Sequence, residues 1–416
     1  MRQVYTQVLV ALFASVTPAV CLALPNDPFP NWGNEVYGAN LNNAWDLSTG
    51  NSDQVVAVLS TGVNLTHSDL NLWKDESPFF SSIFESQDGF NAFNTTGRNP
   101  PADDHGIGTH SAGVIAAIGN NGIGASGVAY NAQIMPVKIA RVVSGGALQW
   151  SIDNLIAGID YVIRKKQEGN NVVAIHSFWN FSSDPGRLLE AKIMEAKEQG
   201  ILYVNSAGDS ALNIDQHPIY PASYDLPNLI TVSAYYGSEE LIQSSPFSNF
   251  GSTAVDVAAP GEIVQNTWIG NNGYQIWAGT SASAAYVAGT AALIEDLSPG
   301  IPPDEIKKLI RNSVNVRPEL APFVSTSGFL NAFEALRLLE AESHGDFNGD
   351  GSVDAADYTV WRDGLGTEYT AADYQTWRDN YGATAANLAA VNTPEPFTLT
   401  LVALACVGLV GRRRRI

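Results

Sequence analysis

Cysteine is nearly missing from this sequence: of its 416 residues only Cys21 and Cys406 are cysteine, one in each terminal apolar segment. The body between them can form no disulfide, so its stability has to come from a large core or from bound metal. Basic residues are scarce too, 22 against 42 acidic ones, for a formal net charge of −20. A nucleic-acid partner calls for a basic face, so that class is excluded. An acidic surface does suit an extracellular calcium-binding protein.

The two ends explain where such a chain would work. Arg2, an apolar run from Val8 to Val20 and the small-residue site around Cys21-Leu22-Ala23 read as a secretory signal peptide over 1–23. At the other end, a short linker over 386–392 precedes Thr393-Pro394-Glu395-Pro396, an apolar run from Phe397 to Gly411, and Arg412 to Arg415. That run barely reaches across a bilayer, and the arginine block would stay on the cytoplasmic side. The segment 393–416 resembles the PEP-CTERM sorting signal of bacteria, which implies processing by an exosortase-like transpeptidase; an ordinary C-terminal membrane anchor is the alternative. Either way the body is expected to be secreted or held at a bacterial cell envelope.

Inside, Val55 to Leu59, Ile134 to Ile139, Val172 to Ile175, Ile201 to Val204 and Leu229 to Val232 are continuous apolar runs of the kind found in buried parallel strands. Helical periodicity fills the stretches from Ile152 to Lys166 and from Leu188 to Gln199, the latter stopped by Gly200. Strands alternating with helices predict an α/β domain with a doubly wound parallel sheet, whose ligands gather beyond the strand carboxyl ends. Ser60, Ser177 and Asp209 stand at those ends. Trp32 and Trp45 are expected to anchor the irregular N-terminal lead. The most telling stretch is Gly279-Thr280-Ser281-Ala282-Ser283, which opens an almost wholly apolar helix and puts the Ser281 hydroxyl at its positive end.

Five blocks in order carry a family resemblance over about 24–340. Val56 to Val63 with His67-Ser68-Asp69-Leu70 resembles the first catalytic block of the subtilisin family, and Gly106 to Gly113 the second. Gly127-Val128-Ala129 with Ile134 to Lys138, and Phe247 to Gly251 with Ala258 to Gly261, are similar to its scaffold segments; Gly279-Thr280-Ser281 with Val287-Ala288-Gly289 resembles its nucleophile block. The resemblance implies a subtilisin-like fold and a serine endopeptidase site. That chemistry needs a serine, a histidine to take its proton, an aspartate to orient the histidine, and an amide for the oxyanion. Only Ser281 matches its role. The aspartate position is Ser60, the histidine position Ile107 and the amide position Asp209.

Isoleucine carries no titratable atom, so Ser281 has no base at the matching place. An ionised Asp209 would repel an oxyanion; a protonated one would still donate a hydrogen bond. His110 matches a scaffold histidine, which leaves His105 as the rescue candidate, with Asp103 or Asp104 as its partner. In the peptide groove, Ser177-Phe178-Trp179-Asn180 stands where the family has a bare Ser-Leu-Gly-Gly edge. Trp179 either crowds that edge or packs on a remodelled loop. Little chain separates the signal from Val55, leaving scant room for a folding pro-segment.

Asp346-Phe347-Asn348-Gly349-Asp350-Gly351-Ser352-Val353-Asp354 with Asp357 has the spacing of a calcium loop, with Gly351 at the sharp turn. Ala355 to Asp363 then recurs as Ala371 to Asp379. This repeat over 341–385 resembles a dockerin, a small α-helical module related to the EF-hand, which implies two helices, calcium at Asp346, Asn348, Asp350, Ser352, Asp354 and Asp357, and a cohesin-like partner. Asp69 with the loop from Asn120 to Ala125 matches a second calcium site of the subtilisin family. Three readings follow: a secreted pseudoprotease whose main domain binds a protein or peptide, an endopeptidase using Ser281 with an unusual base, or a scaffold driven by the dockerin-like module.

Overall fold

All five apolar runs become adjacent parallel strands in the computed structural model, which describes residues 24–29, 39–76, 84–94, 99–238, 241–367 and 369–384. The signal segment 1–23, the sorting segment 393–416 and Trp32 lie outside the described residues. In chain order the first half comprises α1 Leu41–Ala44, β1 Gln54–Ser60, β2 Glu85–Ser86, β3 Gly89–Asn91, α2 Ile107–Ala116, β4 Gln133–Lys138, β5 Ala140–Val142, β6 Leu148–Trp150, α3 Ile152–Gln167, β7 Asn171–Ser177 and α4 Arg187–Glu198. The second half comprises β8 Leu202–Ser206, β9 Leu229–Ser238, β10 Leu241–Ser244, β11 Val257–Pro260, β12 Val264–Trp268, β13 Gly273–Trp277, α5 Thr280–Leu297, α6 Pro303–Asn312, β14 Asn315–Val316, β15 Gly328–Phe329, α7 Ala332–His344, α8 Ala355–Gly364 and α9 Ala371–Asn380.

The main sheet runs β14-β15-β11-β9-β8-β7-β1-β4-β3-β2, parallel from β15 to β3, with β10 paired antiparallel to β9. Helices cover both faces, which is why β1 shows no polar alternation. Val56 and Val58 pack with α2 and α5, while Val55, Ala57 and Leu59 pack with α3 and α4. Helix α5 is buried from Thr280 to Glu295, and its small side chains let backbones approach closely. A Cβ on Gly289 would lie 2.5 Å from Val128 Cβ. Trp45 anchors the lead by donating from Nε1 to Val128 O at 2.8 Å.

The expected helix pair is present as α8 and α9, and the repeat has a reciprocal lock. Trp361 Nε1 donates to the carbonyl of Thr370, the cap of α9, at 2.8 Å, and Trp377 Nε1 to that of Asp354, the cap of α8, at 2.7 Å. The boundary expected after residue 340 falls inside α7, and Arg337 on that helix donates to Gly349 O at 3.2 Å. Among the described residues, no helix is long and apolar enough to cross a membrane.

Candidate functional site

Ser60, Ile107, Asp209 and Ser281 all come to the carboxyl edge of the sheet: the last residue of β1, the first of α2, the loop after β8 and the second residue of α5. Ser60 is fully buried, and its Oγ has no hydrogen-bond partner. It faces the first turn of α2, where a Cβ on Gly108 would lie 2.9 Å away. Ile107 is 9% exposed and presents a hydrocarbon side chain at the start of α2.

Asp209 has acquired a structural task. Its Oδ1 accepts from Thr280 N and from Thr280 Oγ1, each at 2.8 Å, and so caps α5. An anion at a helix start is favourable. The residue is exposed on its outer side, yet protein crowded around the carboxyl raises its pKa by desolvation, against the two Thr280 bonds that lower it. Beneath, His176 on β7 holds the nucleophile turn, with Nε2 2.9 Å from Ser281 O. His176 is wholly buried, and that burial lowers its pKa to about 4. The apolar run Val172 to Ile175 stops one residue short of His176, which the strand buries as well.

The rescue reading for His105 lacks its partner. Asp103 accepts from His105 N, Gly106 N, Thr61 Oγ1, Thr109 N and Thr109 Oγ1, at 2.6–3.0 Å, so its carboxylate is consumed in fastening the start of α2. Asp104 pairs with Lys138 at 3.0 Å. The His105 ring meets Trp277 edge-on at 6.2 Å, and its Nδ1 is buried without a hydrogen-bond partner. His110 is a satisfied core group, with Nε2 2.9 Å from Val264 O and a pKa lowered by burial to about 4.

The hairpin β12–β13 supplies residues that the sequence did not point out. Trp268 and Trp277 stand at its two ends with rings 5.2 Å apart, and a Cβ on Gly106 would lie 2.4 Å from Trp268 Cζ2. These rings therefore flank the start of α2 beside Ile107. Asn272-Gly273 between two runs is a hairpin signal, and Asn272 adopts φ 49°; that dipeptide could have revealed the element. Ser177 is fully buried at the end of β7. Trp179 is 4% exposed, with its ring 4.3 Å from Phe178 and 4.7 Å from Trp150. Its ring is thus buried between Phe178 and Trp150.

In the loop between α7 and α8, Asp346 is buried, as is Asp357 in the first turn of α8. Asp346 accepts from Asp350 N at 3.1 Å and Gly351 N at 2.8 Å, and Asp357 from Asn348 N at 3.0 Å and Asp354 N at 2.8 Å. Burial raises the pKa of Asp346, and the neighbouring charge of Asp357 adds to that. Asp354 uses its side chain to cap α8, accepting from Ala356 N at 2.7 Å. Asn348 and Asp350 are exposed beside them, and Ser352 is half-buried. Among the described residues, no three His, Cys, Asp or Glu side chains converge as a metal cluster. At the other candidate, buried Asp69 accepts from Asn121 Nδ2 at 2.6 Å, Ala125 N at 3.1 Å and Tyr274 Oη at 3.0 Å. Burial raises its pKa as well.

Comparison with known proteins places this geometry. The family model described as "Subtilase family" matches residues 51–379. An extracellular protease of Xanthomonas campestris is 28% identical over 333 residues, covering 73% of this chain and 54% of that protein. Subtilisin Savinase of Lederbergia lenta is 31% identical over 258 residues, covering 62% of this chain and 82% of that protein. An alkaline protease of Alkalihalobacillus alcalophilus is 32% identical, with 58% of its length matched; the chain thus spans little more than half the length of two of these relatives. A solved protease structure from Pseudoalteromonas arctica superposes with a TM-score of 0.62 at 28% identity, covering 76% of this chain and all of that one.

Proposed function

Because the chain belongs to the subtilase family, we propose that it is a secreted member that has lost peptidase turnover and keeps its cleft as a binding site for a protein or peptide. The observation that carries this reading is the set of substitutions at one edge of the sheet: buried Ser60 without a partner, hydrocarbon at Ile107, and Asp209 engaged as the cap of α5. A serine hydroxyl with pKa far above neutral is a weak nucleophile without an adjacent base. The second reading, an endopeptidase based on His105, is disfavoured because neither Asp103 nor Asp104 is available to orient that ring. The test is hydrolysis of casein and of unblocked peptides across pH 5–10 by wild type and Ser281→Ala. Equal background rates are expected, and a wild-type excess removed by Ser281→Ala would restore the endopeptidase reading.

The proposal extends to calcium in the dockerin-like module. Two buried carboxylates and exposed Asn348 and Asp350 form an oxygen-rich donor set around the turn at Gly351, whose φ is 88°. Calcium there would be held by Asp346, Asn348, Asp350, Ser352 and Asp357, with Asp354 as cap and outer ligand; it would neutralise the buried charge and order the loop. Adding a chelator is expected to lower hydrogen-exchange protection of α8 and α9, and Asp357→Asn to make the apparent calcium affinity at least about tenfold weaker. Protection indifferent to calcium would remove this assignment. At Asp69 the donor set also suits calcium, provided the Asn121 amide turns its oxygen inward. The secretory and sorting segments, and attachment to a cohesin-like partner, belong to the same proposal of an envelope-linked binding protein.

A further inference from the structure

The helix pair α8 and α9 leaves its aromatic side chains uncovered. Tyr358, Trp361, Tyr374 and Trp377 form a closed circle of contacts, with successive ring centroids 5.0–5.6 Å apart and planes tilted by 35–44°. Tyr381 extends it, 5.1 Å from Trp377. Between two packed helices such rings would normally be core, yet no residue of α9 is buried, and of α8 only Asp357 and Gly364 are. Tyr358 is 36% exposed and Tyr381 56%. Both indole N–H groups are already spent, on the carbonyls of Thr370 and Asp354. What the two indoles still offer a ligand is carbon surface, which gains by leaving water. A contiguous exposed patch of this kind marks a binding surface.

Area and charge select the occupant. A fully covered aromatic side chain buries about 150–250 Å², so five partly open rings present less than about 500 Å². A stable protein interface takes about 800 Å² from each partner, which argues against a second copy or another globular protein. Arg362 and Arg378 stand four residues after Tyr358 and Tyr374, on the same helix faces. Each is paired with the aspartate that follows it, Asp363 at 2.7 Å and Asp379 at 3.2 Å. The guanidinium groups oppose a cation over the rings, and the net charge of −20 opposes a polyanion. The ligand that fits is neutral, apolar on its faces and rich in hydroxyls at its edges, where the Arg–Asp pairs supply both donors and acceptors. We propose that α8 and α9 form a stacking platform for a neutral, β-linked polysaccharide of the cellulose or chitin class. In such chains the hydroxyls are equatorial, so every sugar ring turns a flat face of C–H groups toward an aromatic ring.

The test uses the full chain carrying ¹⁵N-labelled tryptophan, with calcium present, titrated with cellohexaose and with chitohexaose. The readout is the pair of indole N–H resonances of Trp361 and Trp377, assigned by their loss in Trp361→Phe and Trp377→Phe. A saturable shift of both is expected with at least one of the two sugars. Tyr358→Ser, which removes an open ring and spares the two indole hydrogen bonds, is expected to weaken it about tenfold. Maltohexaose, whose α-links coil the chain and break up its flat face, is expected to bind at least about tenfold more weakly. That comparison does not depend on any variant folding. Resonances that neither β-linked sugar moves overturn the platform, and so does an equal shift with maltohexaose or with a proline-rich hexapeptide. A shift that follows protein concentration without sugar, together with a dimer in sedimentation, would give the face to a second copy and likewise overturn the proposal.

Discussion

The triple variant Ser60→Asp, Ile107→His, Asp209→Asn is expected to hydrolyse peptides at least about 10³-fold faster than wild type, while each single change gives nothing measurable. Triad members act largely as a unit, so one restored member recovers little: a histidine without its aspartate keeps only a small part of the triad's effect, and a missing oxyanion amide costs a further factor of about 10²–10³. Subtilisin itself supplies the reference magnitude: loss of its histidine alone costs about 10⁶ in turnover, or roughly 8 kcal/mol. The expectation here is smaller for two structural reasons. A carboxylate at position 60 must fit beside the first turn of α2, where Gly108 already approaches the Ser60 hydroxyl. Asparagine at 209 must also keep its oxygen on Thr280 to preserve the cap, which leaves only its amide nitrogen for an oxyanion. Peptide hydrolysis by the four proteins decides the matter. A triple variant as inactive as wild type would mean that the tryptophan-walled cleft no longer admits a scissile bond.

The second large effect concerns acid. His110 and His176 are fully buried with pKa values lowered to about 4, against about 6.5 in the unfolded chain. Between those values the unfolded state binds more protons, so stability falls as pH drops from about 6.5 to about 4 and levels off below. Each histidine contributes a loss of about 3 kcal/mol over that window. Asp69, Asp209 and Asp346, with pKa values raised by burial, act in the opposite sense. Their folded forms take up protons more readily, which softens the decline below their folded pKa values. His176→Gln keeps a donor toward Ser281 O and cannot titrate, so it is expected to remove about half of the histidine-driven loss. Urea midpoints at pH 7.5 and 4.5 for both proteins measure this directly. An identical decline in the two would show that His176 does not titrate against folding.

The physics that made the sheet legible also limited what could be read of the site. Continuous apolar runs have few other uses at that length, so β1, β4, β7, β8 and β9 fell where expected, and the small-residue run after Ser281 gave α5. The site depends on directions in space, which sequence spacing does not supply. Asp103 and His105 are neighbours in the chain, yet the carboxylate turns back onto Thr61 and Thr109 and leaves the ring to Trp277. Trp179 is a departure plain in the sequence, but its burial depends on contact with Trp150, distant in sequence. Trp277 lies four residues before Ser281 in a short hairpin strand with no strong periodicity, which the sequence alone does not mark. His176 was hidden by its company: a single histidine after Val172 to Ile175 reads as the end of a strand, and only packing against α5 gives it a role.

Loss of nucleophilic power at Ser281 is tested most directly by a fluorophosphonate probe, which reacts only with a serine activated by its neighbours. Wild type is expected to label no faster than Ser281→Ala at pH 7 to 9, whereas the triple variant labels at position 281. Stoichiometric labelling of wild type at Ser281, lost in Ser281→Ala, would contradict the pseudoprotease reading.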